Sequence, residues 1–291
     1  MKKEYLMISI GAILFGLVIF GGQFFMNLGY SVYEISFYPL AFAALLLLPV
    51  VLIKKELMIK KGMLGFFVIY GIIGAAVSLM QYVGLAFGIS VAIVSMLLYT
   101  QPVWTIIFGK FMLKEKITKK KVLAVIVAMT GILALLSPWQ AESMPNIKGV
   151  LSALLAGIFL SLWFIFGRKS GISKNHYLTT TFGSIFFSSI WLLIANPFIN
   201  LFFHDPMFRL SFEWSPTLPL LFMFGFVTLV IGCALFYKGM EKVEASKAGI
   251  IALFEPVSAT ILAAIFFSQP ITLPIIIGGA LILASNYIVT S

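Results

Sequence analysis

Leu253-Phe254-Glu255-Pro256-Val257-Ser258-Ala259-Thr260-Ile261-Leu262 is an apolar run carrying one acid, followed directly by a proline. Earlier in the chain stands Tyr99-Thr100-Gln101-Pro102-Val103, with Pro102 154 positions before Pro256. The flanks return as well. Tyr82-x-Gly84 reappears as Tyr237-x-Gly239, and Lys114-Glu115-Lys116-Ile117-Thr118 as Ser268-Gln269-Pro270-Ile271-Thr272. A shared proline or glycine alone means little in an apolar helix. Three elements in the same order, at offsets of 155 and then 154, mark an internal duplication.

The material around these motifs is too apolar for a water-soluble domain. Hydrophobic residues make up 61% of the 291 positions and charged residues 10%, where a soluble chain carries about 25% charged. Mean hydropathy is +1.09. The solvent is lipid, which removes disorder, a disulfide scaffold and a cytosolic enzyme from consideration. The single Cys233 has no internal partner.

A membrane helix needs about 20 mostly apolar residues. Ten stretches qualify: 5–25, 35–53, 63–83, 91–113, 121–138, 149–167, 178–200, 217–238, 246–267 and 271–289. Barrel strands are shorter and alternate in polarity, so the spans are helices. The first follows Lys2-Lys3, is too long for the core of a cleavable signal and precedes no small-x-small site.

The connections sort by charge. One side holds Lys2 and Lys3, the lysines of 54–61 and 110–121, then Arg168, Lys169 and Lys174, and finally Lys238, Lys242 and Lys247. Only Lys148 and Arg209 fall on the other side. That asymmetry predicts both termini in the cytoplasm of a cell (inner or plasma) membrane. It also accounts for the net charge of +10 without nucleic acid.

Each copy of the duplication holds five stretches, an odd number, so the second copy enters the bilayer upside down. The expected fold is an all-α polytopic membrane protein of ten transmembrane helices, arranged as two inverted five-helix repeats, 1–140 and 148–291. Such repeats place a site near the midplane that can open to either side.

Three stretches resemble the EamA-type members of the drug/metabolite transporter superfamily: Phe254 to Ala263; Pro102 to Glu115 followed by Ile117-Thr118; and Gly149 to Trp163 followed by Arg168-Lys169. The resemblance implies a ten-helix exporter-like fold whose cavity is lined chiefly by helices 1, 3, 4, 6, 8 and 9. It also implies substrates such as amino acids and other small metabolites. Two departures are visible. Phe37-Tyr38-Pro39 stands where similar proteins often carry an arginine, and Gln269 replaces the acid seen as Glu115.

Glu255 is the one acid near the middle of a predicted span, where a charge faces a cavity or a partner. It could take a cargo ammonium, couple transport to protons, or serve only as a hydrogen-bonded packing group. Pro102 and Pro256 lack a donor, which predicts unpaired carbonyls at Leu98 and Ala252 and a helix kink at each. Ser78, Gln81 and Tyr82 share a face. With Tyr99, Thr100, Gln101 and Tyr237 they could line a polar, aromatic-walled cavity for a small zwitterion, or act as hydrogen bonds between helices. Trp163 is a further candidate. Trp139, Trp191 and Trp214 read as interface anchors.

The signatures of zinc peptidases, serine hydrolases and phosphate loops are absent from the sequence. No cofactor or metal is expected. The reading is a secondary transporter of small metabolites, amino acids or amines, exporting by alternating access. Its rivals are a proton-independent facilitator of the same fold and a non-transporting scaffold or sensor.

Overall fold

The computed structural model describes residues 2–87, 91–136, 146–203, 205–267 and 271–290. Trp139 and Gln269, both singled out above, lie outside them. Among the described residues the only regular structure is helical: α1 (Lys2–Asn27), α2 (Val32–Ile53), α3 (Leu64–Ala86), α4 (Val91–Leu98), α5 (Gln101–Leu113), α6 (Lys119–Leu136), α7 (Ile147–Ile172), α8 (Tyr177–Phe203), α9 (Leu218–Gly225), α10 (Cys233–Met240), α11 (Ala245–Ile251), α12 (Phe254–Phe267) and α13 (Leu273–Thr290). A π-helical segment, Phe226–Gly232, joins α9 to α10 without a break. Among the described residues, eight helical stretches are long and apolar enough to cross a membrane. The two predicted spans outside that set are α4 with α5, which is interrupted, and α6, which opens on three lysines.

Large apolar side chains point outward all round the bundle. Leu45, Phe111, Ile265 and Phe266 are exposed, as expected where the surroundings are hydrocarbon rather than water. Inside, hydroxyls turn back onto their own helices. Ser36 donates to Val32 O at 2.8 Å and Thr228 to Phe224 O at 2.6 Å. This satisfies a polar group that lipid cannot.

The main interfaces run between the two halves of the chain, pairing α6 with α13, α3 with α7 and α1 with α12. Glycine permits the closest of them. A Cβ on Gly278 would lie 2.4 Å from the Leu135 nitrogen, and one on Gly131 would lie 2.9 Å from the Gly278 carbonyl oxygen.

Both ends of the bundle are tied by polar bonds. At the lysine-rich end the Glu115 carboxylate accepts the backbone N–H groups of Ala245 (2.6 Å) and Ser246 (3.1 Å) and the Ser246 hydroxyl, capping α11. Lys121 lies 3.2 Å from Glu244 and 3.7 Å from Glu115. Arg168 donates to the carbonyls of Met240 and Glu241 at 2.7 and 2.5 Å. At the other end Glu34 completes a capping box with Ser31. It also accepts the N–H and hydroxyl of Ser211 at 3.1 and 2.5 Å.

Two helices are interrupted at matching places. α4 stops at Leu98 and α5 begins at Gln101, while α11 stops at Ile251 and α12 begins at Phe254. The expected kinks at Pro102 and Pro256 are thus breaks between short helices. Pro102 is the second residue of α5 and Pro256 the third of α12, positions whose N–H has no partner within a helix anyway. The Ala252 carbonyl is not left unpaired either, since the Glu255 N–H donates to it at 2.9 Å. Pro39, Pro49 and Pro197, by contrast, sit inside continuous helices.

Candidate functional site: a cavity between the halves

A partly open cavity of about 100 Å³ lies between the halves. α1 supplies Phe15 and Val18, α3 supplies Gly74, Ser78 and Gln81, and α7 supplies Leu160 and Trp163. α8 adds Ser184, Ile185 and Ser188, the π segment Leu229, and α10 Cys233. Leu40 of α2 and Glu255 of α12 complete the wall. Among the described residues the fourth predicted span, expected as a wall from the resemblance, contributes none to the lining, and the second and seventh take part. The π turn keeps Leu229 and Cys233 on the cavity side, the kind of local rewinding that often marks a working site.

Of the residues singled out from sequence, Ser78, Gln81, Trp163 and Glu255 meet at this cavity. Glu255 is only 6% exposed, and no described group makes a hydrogen bond of ordinary geometry to its carboxylate. Its neighbour is Tyr99, whose buried hydroxyl interacts with the carboxylate, though not in ordinary hydrogen-bond geometry, and has no other partner among the described residues. Tyr99 therefore stands behind the acid rather than in the wall.

The other candidates do structural work. Gln101 donates through Nε2 to the Gly249 carbonyl at 2.6 Å, and its Oε1 accepts the Thr105 hydroxyl at 2.9 Å. The Thr100 hydroxyl donates to Leu97 O at 2.7 Å and accepts the Trp104 indole N–H at 3.2 Å, closing the turn between α4 and α5. Tyr82 reaches Val18 O at 3.3 Å, and its ring fills the space left by Gly22. It borders, with Gln81, a smaller apolar cavity of about 10 Å³.

Tyr237 lies directly behind the wall. Its hydroxyl meets that of Tyr70 at 2.6 Å and Ser184 Oγ at 3.2 Å, and its ring packs 4.9 Å from that of Trp163. Tyr70 donates to the Trp163 carbonyl at 2.8 Å. The aromatic and hydroxyl groups thus fix one another, so Trp163 is held with little freedom to repack. Trp191 departs from its expected role as an interface anchor. It lies within α8 and donates its indole N–H to Val68 O of α3 at 3.0 Å.

Sequence reasoning missed Ser184 and Ser188. Their spacing of four on one helix was the available signal, and Gly74 reinforces it, since a Cβ there would fall 2.2 Å from Ser188 Oγ. No group of three or more His, Cys, Asp or Glu side chains positioned to hold a metal occurs among the described residues.

This architecture has close relatives in form. A solved crystal structure, 14% identical, superposes with a TM-score of 0.78 over 99% of this chain and 96% of its own, which shows the fold. An uncharacterized transporter of Archaeoglobus fulgidus is 29% identical over 94% of this chain and 95% of its own length. Solute carrier family 35 member G1 of Homo sapiens is 24% identical over 87% and 70%. A Salmonella typhimurium protein named "Probable amino-acid metabolite efflux pump" is 20% identical over 71% and 70%. The model of the EamA-like transporter family matches twice, over residues 2–137 and 147–291. With nearly its whole length inside those two matches, the chain belongs to the EamA-like transporter family, a family of multi-pass membrane transporters rather than enzymes.

Proposed function

We propose that the chain is a secondary transporter that exports small metabolites, amino acids or amines, by alternating access. The single observation behind this is Glu255, an acid held at a helix break and facing a cavity between the halves. In this reading ten spans form two inverted five-helix units, 1–140 and 148–291, in the cell membrane, and both termini are cytoplasmic. The breaks at Pro102 and Pro256 are the points about which short helices re-angle. Glu255 binds the cargo's cationic group or a proton, and the cargo rests against Trp163, Ser78 and Gln81. The relative named as an amino-acid metabolite efflux pump supports both direction and cargo range.

Purified protein in liposomes, screened against labelled metabolites with and without an imposed pH gradient, tests this. Accumulation that needs the gradient supports proton coupling. Equilibration that ignores the gradient makes the protein a facilitator. No movement of any solute leaves only a scaffold or sensor. Orientation has its own test: Thr118→Cys, in a chain with Cys233→Ala, is expected to resist an impermeant reagent added outside intact cells. Ready labelling there would reverse the topology.

A further inference from the structure

We infer that the cavity selects amines bearing N–H groups and no carboxylate, over the corresponding amino acids. The inference rests on the reading of this cavity as the cargo site and narrows its cargo.

The argument is one of charge and of proton direction. Among the described lining residues Glu255 is the only ionisable carboxylate, and none is Lys, Arg or His. A zwitterion would bring a carboxylate into a space with no cation to meet it, beside an acid of the same sign. An amine brings only the charge that Glu255 complements, and an unpaired charge at this depth is costly.

The hydroxyls point the same way. Ser188 spends its proton on Ser184 O at 2.7 Å, and Ser184 spends its own on Thr181 O at 3.0 Å. The Ser188 oxygen is thereby left as an acceptor, suited to N–H donors and unsuited to carboxylate oxygens, while the Ser184 oxygen already accepts the Tyr237 hydroxyl at 3.2 Å. Trp163 adds an aromatic face that attracts a cation. Gln81, the Trp163 indole N–H and the Ser78 hydroxyl can donate, but all are neutral and do not offset the charge of a carboxylate.

The decisive measurement uses pairs that differ only in the carboxylate. Tyramine with tyrosine, and agmatine with arginine, are compared by the rise in thermal unfolding temperature of the purified full chain. Agmatine and arginine are also compared by counterflow in liposomes. Amines are expected to bind at least tenfold more tightly, and Glu255→Gln to erase most of that difference while the ligand-free unfolding temperature stays near wild type. Equal or tighter binding of the amino acids overturns the inference. So does carriage of neutral or anionic solutes with no response to either amine, an outcome that leaves the transport reading standing. If no solute is bound or carried, the transport reading fails and this inference falls with it. The wild-type comparison needs no variant to fold.

Discussion

Gln101 and Glu255 occupy the same place in two broken helices, each one residue before the proline. Gln101 is 1% exposed and spends both ends of its amide on protein, at Gly249 O and Thr105 Oγ1. Glu255 is nearly as buried but opens onto the cavity. The difference lies one turn further on. Thr105 supplies the hydroxyl that locks Gln101, and the corresponding residue in the second half is Ala259, which has none. One break is thereby closed by two hydrogen bonds, one of them across the halves, and the other leaves its carboxylate engaged only by the Tyr99 hydroxyl among the described residues. Duplication supplied two similar frames, and a few side chains divided the labour between them.

The sharpest way to break this comparison is Glu255→Gln. It preserves size and makes the two halves match, but removes the ability to ionise. Transport is expected to fall at least tenfold while the thermal unfolding temperature stays near wild type, because among the described residues only the Tyr99 hydroxyl engages the carboxylate and a glutamine oxygen can still accept from it. Transport close to wild type would mean that Glu255 only packs. A pH–rate profile then sharpens the result. A coupling residue predicts a flattened profile in the variant, whereas a cargo ligand predicts mainly weaker binding.

Gln101→Leu should give the opposite pattern. It leaves the Gly249 carbonyl without its donor, at a cost of about 1–3 kcal/mol for a buried unsatisfied group. The unfolding temperature in detergent is expected to drop, and transport per folded molecule to stay within about twofold. That split is the mirror image of the one at Glu255. A collapse of transport with unchanged stability would place Gln101 in the cargo path and erase the distinction.

Much of this was legible beforehand. Composition, the lysine asymmetry and the repeat identified a multi-pass helical membrane protein with a duplicated plan. Glu255 stood out because it is the lone mid-span acid. What the sequence obscured was which polar residues are consumed locally. A proline announces a missing donor, but not whether that position already begins a helix, so Pro102 and Pro256 read as kinks. Tyr99, Thr100 and Gln101 read as cavity lining, yet two of the three are bonded within or across the break and the third lies behind Glu255. Ser184 and Ser188 stayed hidden for the converse reason. Serines in apolar helices ordinarily bond back to their own carbonyls, as these do, and only the packing of α8 against α3 reveals that these residues also line a cavity.

Gly157→Ala probes the frame that both breaks share. A Cβ there would lie 2.8 Å from the carbonyl oxygens of both Leu97 and Leu98. These are backbone atoms with little freedom to yield, at the end of α4. Overpacking of this kind costs about 1–3 kcal/mol, so the unfolding temperature should fall. Transport should slow as well, if the short helices re-angle at this contact. An unaltered unfolding temperature would show that α7 does not bear on the first break.

The smallest expected effect is also the most pointed. Ala259→Thr gives the second half the residue that the first half uses to hold its polar head. Thr105 lies four residues after Gln101 and donates to both its carbonyl and its side chain, at 2.8 and 2.9 Å. A threonine at 259 stands in the same relation to Glu255, and its single hydroxyl proton can be shared between the same two acceptors. Stability should move by no more than a few tenths of a kcal/mol, because a hydroxyl that bonds back to its own helix is close to neutral. Transport is expected to fall about two- to fivefold, since a carboxylate held by a hydroxyl competes less well for a cargo at about 1 kcal/mol per hydrogen bond. The same threonine in a Glu255→Gln background should add little further loss, because the group it restrains has already lost its charge. If Ala259→Thr lowers transport equally in both backgrounds, the effect is one of bulk in α12, and the missing hydroxyl is not what frees Glu255.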